Sequence, residues 1–213
     1  MSGPLPLEAL LRGAHRAGAT LNDLLLSAVT SALREHLRDH GDPSHVALHA
    51  LVPVSLEARR AGPSPHAGNR FTSVFVPLPM DVSDAQARVT RLHEELALQR
   101  MRGATHSGSS LVRAAGSTSA FIEHVGVRLF SRRATVMVSD VRGPAEPVRL
   151  GGVTVRDLIA WAPAPGSVPL AVTLLSYAGH VRVGVLADAR IVGNPGRLVQ
   201  RIEQELCEWA GRA

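Results

Sequence analysis

The chain has 213 residues, of which 45% are apolar and 3% aromatic; it has a single cysteine, Cys207, and a net charge of +5. That length and apolar share suffice for one sizeable core built mainly from Leu, Val and Ala, and one cysteine excludes an intrachain disulfide or a thiolate metal cluster. Every basic residue is arginine, scattered with no aromatic-flanked stripe, so a nucleic-acid partner is not expected.

Residues 5–16, "LPLEALLRGAHR", predict a short helix. A longer one follows in "GATLNDLLLSAVTSALREHLRDHG". Thr20 is its N-cap, and Asp23 completes a capping box near the positive end of the helix dipole. Leu21, Leu24, Leu25, Ala28, Val29, Ala32, Leu33 and Leu37 form one apolar face, and Gly41 stops the helix. Capping accounts for Asp23. It leaves Asn22 without a local reason.

Residues 45–58 read as a β-rich run, 59–69 as a Pro/Gly loop, and 70–80 as a strand whose prolines place them near its end or at a sheet edge. Ser83 with Gln86 predicts a second capping box, heading a helix with the stripe Val89, Leu92 and Leu96. Residues 102–110 are a softer region before a helical stretch near 110–131. "ATVMVSDVRGP" (134–144) is a strand running into a turn, and "VRLGGVTV" carries a Gly-Gly hairpin signal.

Leu158 to Val181 contains no Asp, Glu, Lys or Arg. Pro163, Pro165, Gly166 and Pro169 break it as a single helix, so it reads as two buried strands, "LIAWA" being the first. Residues 170–188 predict two strands joined at Ala178-Gly179. Asn194-Pro195 starts a last helix that presents Leu198, Val199, Ile202, Leu206 and Trp209. This succession predicts one domain over residues 1–213, an α/β (α+β sandwich) fold with a mixed β-sheet packed against helices.

Motif chemistry is sparse. His93-Glu94 begins like a zincin motif, but Ala97 stands where the second ligand belongs. His36 and His40, like His45 and His49, are spaced for chelation, yet the first pair reads as a solvated helix end. No nucleophile elbow, dinucleotide fingerprint or phosphate loop occurs. Cys207, near the apolar face of the last helix, reads as packing. The segment "MSGPLPLEALL" lacks signal-peptide character, which predicts a cytoplasmic setting.

Five segments taken in order, "TLNDLLLSAVTSALREHL", "LHALVPVSLE", "GNRFTSVFVPLP", "VMVSDVRGP" and "LSYAGHVRVGVLAD", resemble the C-terminal half of bacterial wax ester synthase/diacylglycerol acyltransferases. The resemblance runs from about Leu5 to about Trp209. It implies one half of a chloramphenicol-acetyltransferase-like fold, with Asn22-Asp23 heading a helix near the junction of the halves. It also implies acyl-CoA as co-substrate with no bound cofactor, a fatty alcohol or diacylglycerol as acceptor, and peripheral contact with membrane or lipid bodies.

In that family the general base belongs to a His-His-x-x-x-Asp-Gly motif in the N-terminal half. No His-His pair occurs in this sequence, so no catalytic residue is assigned and the chain reads as half an enzyme. By resemblance, Asn22, Asp23, Gly68, Asn69, Ser139, Asp140, Gly143 and Pro144 belong to the domain junction or channel. Within "VSDVRGP", Asp140 and Arg142 stand where the family has Asn and Pro. An N-terminal half or self-association is the expected partner; a non-catalytic lipid- or protein-binding module, or a truncated gene product, is the alternative.

Overall fold

The computed structural model describes residues 1–41, 46–55, 71–105, 134–164 and 168–211. In chain order the elements are β1 (Leu5–Pro6), α1 (Leu7–Arg16), α2 (Leu21–Asp39), β2 (Leu48–Ser55), β3 (Phe71–Leu78) and α3 (Ala85–Thr105). There follow β4 (Val136–Arg142), β5 (Arg149–Leu150), β6 (Val153–Thr154), β7 (Leu170–Tyr177), β8 (His180–Ala187) and α4 (Pro195–Gly211). Six strands form one mixed sheet in the order β1-β8-β7-β4-β2-β3, and β5-β6 is a separate hairpin. The β7–β4 and β4–β2 pairings are parallel and the others antiparallel. One core cluster runs from Leu5 to Trp209 and takes side chains from all four helices and from the sheet face beneath them.

The two N-terminal helix expectations fare differently. Leu5 and Pro6 pair with β8 as a short strand, and the first helix begins only at Leu7. The predicted α2 is present with its capping box, and Gly41 takes the left-handed conformation (φ 72°) just past its end. Its burial exceeds one face: every residue from Asp23 to Thr30 is buried. The cause is position, since α1, α3, α4 and β4 all pack on this helix.

For α3 the cap is Asp84 instead of Ser83. The Asp84 carboxylate accepts from Ala87 N at 2.8 Å, while Gln86 turns away to donate to the Ala17 carbonyl at 3.3 Å. The stripe Val89, Leu92 and Leu96 is buried as expected. The helix runs on to Thr105, into the stretch read as a soft region. The helical stretch near 110–131 and the loop at 59–69 lie outside the described residues.

"LIAWA" is not a strand. Both edges of β7 are already paired, to β4 and β8, so this apolar segment crosses the sheet's outer face as a strap. Ala162 N donates to Thr173 Oγ1 at 2.9 Å, and the Ala160 carbonyl sits so close to Gly184 that no Cβ would fit there. The strap explains why all eight residues of β7 are buried. The Gly-Gly hairpin and the Ala178-Gly179 turn form as predicted. Asn194 caps α4 by accepting from Gly196 N at 3.1 Å, and the five predicted residues of that helix are buried. Cys207 is exposed, contrary to its reading as packing; partial burial of the thiol, then Glu203 and Glu208, push its pKa up. No helix among the described residues is long and apolar enough to cross a membrane.

The sheet has a built-in break. β2 pairs with β4 at only Ala50 and Leu51. Thr135 N donates to the His49 carbonyl at 2.9 Å, and alternation then turns the backbone groups of Leu51 and Pro53 the same way. Pro53 has no N–H to give, so the ladder stops. Pro77, as expected, lies on the edge strand β3.

On the helix side, a buried ion pair joins what the sheet leaves loosely joined. Arg88 of α3, only 2% exposed, donates through Nη2 to both Glu205 oxygens of α4, at 2.8 and 2.7 Å. Its Nε donates to Ser27 Oγ of α2, whose hydroxyl donates to Glu205 Oε1 at 2.7 Å. Its Nη1 donates to the Val82 and Ser83 carbonyls. Replacing Arg88 by Met strands the Glu205 carboxylate and should cost about 3–5 kcal/mol in denaturant unfolding. The double change Arg88→Met with Glu205→Leu should recover most of that loss; no recovery would mean the pair is not the source of the cost.

Candidate domain-junction and channel site

Two of the eight predicted site residues, Gly68 and Asn69, lie outside the described residues. The other six fall into two groups. Asn22 and Asp23 occupy the first turn of α2, and Ser139, Asp140, Gly143 and Pro144 run along β4 and past its end. Helix α2 packs on β4, but among the described residues no hydrogen bond or ion pair links the two groups.

Asp23 is 1% exposed and concentrates four interactions. Its Oδ2 accepts from Thr20 N, Thr20 Oγ1 and His93 Nδ1, each at 2.8 Å, and its own N–H donates to Thr20 Oγ1 at 3.3 Å. The carboxylate therefore caps α2 and pins α3 to its head through His93. That histidine, read as a failed metal motif, is a structural partner of the opening helix. The other Asp23 oxygen, Oδ1, and Asn22 Oδ1 are both buried without a hydrogen-bond partner. Two neighbouring acceptors with no donor cost stability in the chain as it stands.

Ser139 pairs with Thr173 and Asp140 with Leu174 on β7. These positions follow the end of the β2–β4 ladder, so β4 here is paired on its β7 side. Gly143 extends the match: its N–H donates to the Ser176 carbonyl at 2.9 Å, and that carbonyl occupies the space a Cβ would need. The Pro144 carbonyl accepts from Ala178 N at 3.0 Å. Gly143 and Pro144 are thus tied to the β7–β8 turn by backbone geometry.

Desolvation pushes the Asp140 carboxyl above its ordinary range, and Arg142 opposes this more weakly. The residue as a whole remains exposed, so solvent screens much of that effect. No group of three or more His, Cys, Asp or Glu able to hold a metal occurs among the described residues. The His36 and His40 rings lie with centroids 4.3 Å apart and planes tilted by 43°, beside Asn194 and Arg197, around a cavity of about 290 Å³.

Sequence reasoning missed three residues that organise this region. Arg88 and Glu205 were legible as charges lying within buried apolar stripes, at positions 88/89/92/96 and 198/202/205/209. His93 gave no local signal, because its partner is 70 residues away.

Two outcomes test this geometry. Asp23→Ala should lower the melting temperature, with a loss of about 0.5–2 kcal/mol for the cap and dipole terms. Asn22→Ala, which removes an acceptor that has no donor, should leave the melting temperature unchanged or raise it. For Asp140, a raised folded-state pKa means the ionised carboxylate weakens folding above that pKa and not below the unfolded value. Asp140→Asn should therefore melt higher at pH 7, and the difference should vanish as pH falls through the ordinary aspartate range. An advantage that persists at pH 3 would assign the effect to something other than charge.

Residues 67–209 match the family model described as the WS/DGAT C-terminal domain. A probable diacylglycerol O-acyltransferase of Mycobacterium tuberculosis H37Rv is 28% identical over 204 residues, covering 93% of this chain and 44% of the relative. A putative diacylglycerol O-acyltransferase of M. tuberculosis CDC 1551 is 31% identical, covering 84% and 38%. The chain thus spans less than half the length of these curated relatives.

Among solved structures, the wax ester synthase/diacylglycerol acyltransferase of Marinobacter aquaeolei VT8 superposes with a TM-score of 0.69 at 22% identity, over 98% of this chain and 48% of that one. The first condensation domain of the CDA synthetase gives 0.56 at 21%, over 98% and 44%. These likenesses fix the fold as one half of a chloramphenicol-acetyltransferase-like acyltransferase architecture. On the family match, the chain belongs to the wax ester synthase/diacylglycerol acyltransferase family, within its C-terminal domain.

Proposed function

We propose that residues 1–213 act as one domain, the C-terminal half of an acyl-CoA-dependent O-acyltransferase that makes triacylglycerol or wax ester together with an N-terminal half. The observation that carries this reading is coverage: the chain aligns over 93% of its own length with a relative of which it spans 44%, and it contains no His-His pair. The N-terminal half would bring the His-His-x-x-x-Asp-Gly base. That base takes the proton of the acceptor hydroxyl as its oxygen attacks the thioester carbonyl; the C–S bond breaks and the CoA thiol leaves with a proton.

In this reading the present chain walls the acyl channel and supplies the junction. The unpartnered Asn22 Oδ1 and Asp23 Oδ1 are acceptors for donors of the other half. Asn22 then has a purpose the isolated helix does not give it. A second reading, a non-catalytic lipid- or protein-binding module, draws support from Asp140 and Arg142, where an ionised carboxylate replaces a donor amide and a flexible residue replaces a stiff one.

The purified chain should release no CoA thiol from a long-chain acyl-CoA in the presence of hexadecanol or diacylglycerol. Adding an N-terminal half that carries the motif should restore acceptor-dependent release, and Asn22→Ala should weaken that assembly without lowering the chain's own melting temperature. Turnover by the chain alone would refute the placement of the base. A stable, inactive assembly would favour the non-catalytic module.

A further inference from the structure

Where the end of α2 meets the start of α4, His36, His40, Gly193, Asn194 and Arg197 line the cavity of about 290 Å³. It lies at the opposite end of α2 from Asn22 and Asp23. His36 and His40 are spaced i and i+4, so their side chains share one side of the helix. Their ring centroids are 4.3 Å apart. Two imidazoles that hold one ion at right angles, with bonds of about 2.0–2.1 Å, place their centroids about 4.5 Å apart. The pair stands close to that separation.

The second histidine is also oriented. His40 Nδ1 donates to the His36 carbonyl at 2.7 Å, which leaves the lone pair of the neutral ring on Nε2. A backbone carbonyl on the far nitrogen is the contact that fixes a metal-ligating imidazole. Gly41, at φ 72°, closes the turn by donating to the Arg38 carbonyl at 3.1 Å. Charge favours a cation over an anion. The last turn of α2 carries the negative pole of the helix dipole. Arg197 is paired with Asp39 at 3.5 Å and Arg201 with Glu35, so both guanidiniums already have a carboxylate. The start of α4 has little to give an anion. Pro195 has no N–H, and the Gly196 and Arg197 N–H groups go to Asn194 Oδ1 and the Asn194 carbonyl.

We propose that His36 and His40 form a chelating site for one transition-metal dication of the nickel, copper or zinc class. Imidazole suits these ions, whereas magnesium and calcium take oxygen ligands. With two protein ligands, water fills the remaining positions on the cavity side, so the ion exchanges with solvent. Chelation bridges the last turn of α2, which the unfolded chain does not hold in register, so the ion stabilises the folded state. The inference stands on this corner of the fold and does not require acyl transfer by this chain.

The test is calorimetric titration of the full 213-residue chain, without an affinity tag, with nickel, copper or zinc chloride, alongside melting with and without metal. The wild type should bind at least one of the three ions and melt higher in its presence, and a chelator should reverse the rise. His36→Gln and His40→Gln should each weaken binding by about ten-fold or more and remove the rise, each judged against its own metal-free melting temperature. His15→Gln, an exposed histidine of α1, should bind like the wild type. No binding of any of the three ions by the wild type would overturn the proposal. Undiminished binding by a folded His36→Gln, His40→Gln double variant would also overturn it, by placing the ion elsewhere. A wild type stabilised by inorganic phosphate and not by metal, with that response lost in the double variant, would make the cavity an anion site and the metal assignment wrong.

Discussion

The arrangement of the helices depends on the Arg88–Glu205 pair. Helices α3 and α4 both pack on α2, and the guanidinium reaches from one to the other over Ser27. Its donors all find acceptors: two carboxylate oxygens, the Ser27 hydroxyl and carbonyl, and the Val82 and Ser83 carbonyls. A buried ion pair is tolerable only when satisfied in this way. Such a network adds little stability over an apolar replacement, but it allows one relative placement of three helices, since any slip leaves a charge in the core without a partner.

That placement sets the head of α2. The first turn carries Asp23, and α3 must lie where His93 can reach it. One carboxylate thus serves a cap, a dipole and an interhelical contact. Its other oxygen and the Asn22 amide oxygen are left over, buried with no hydrogen-bond donor. The same helix head is therefore over-determined at Asp23 Oδ2 and left unsatisfied at two neighbouring buried oxygens.

Much of the fold was legible locally. Thr20 and Asp23, the stripes of α3 and α4, Gly151-Gly152 and Asn194-Pro195 all signal through spacing of a few residues, and the structure follows them. The errors came where tertiary occupancy decides. "LIAWA" has strand-like composition, but β7 has no free edge to offer it, so it lies flat as a strap. Ser83 was the expected cap of α3; Arg88 takes the Ser83 carbonyl, and the Asp84 carboxylate caps the helix. Of the site residues, the described ones take interactions from residues as distant as His93 and Ser176. Spacing alone carries no trace of such pairs.

Pro53 gives the sheet a mechanical character. On one side of the short β2–β4 ladder lie β2 and β3, with α3 packed on β3; on the other lie β4, β7, β8 and β1, with α1 and α4 packed on β8. Among the described residues the sheet thus divides into two multi-strand portions that share a short ladder, a seam between them. Among the described residues the sheet side of the seam holds through two paired residues and the Thr135–His49 hydrogen bonds, and the helix side through α2 and a salt-bridged arginine. A twist between the two portions would break fewer backbone bonds at this seam than at the longer β4–β7, β7–β8 or β2–β3 ladders. Compliance is thus concentrated beside Ser139 and Asp140, and the strain of accommodating a bulky guest would collect there, sparing the rest of the fold.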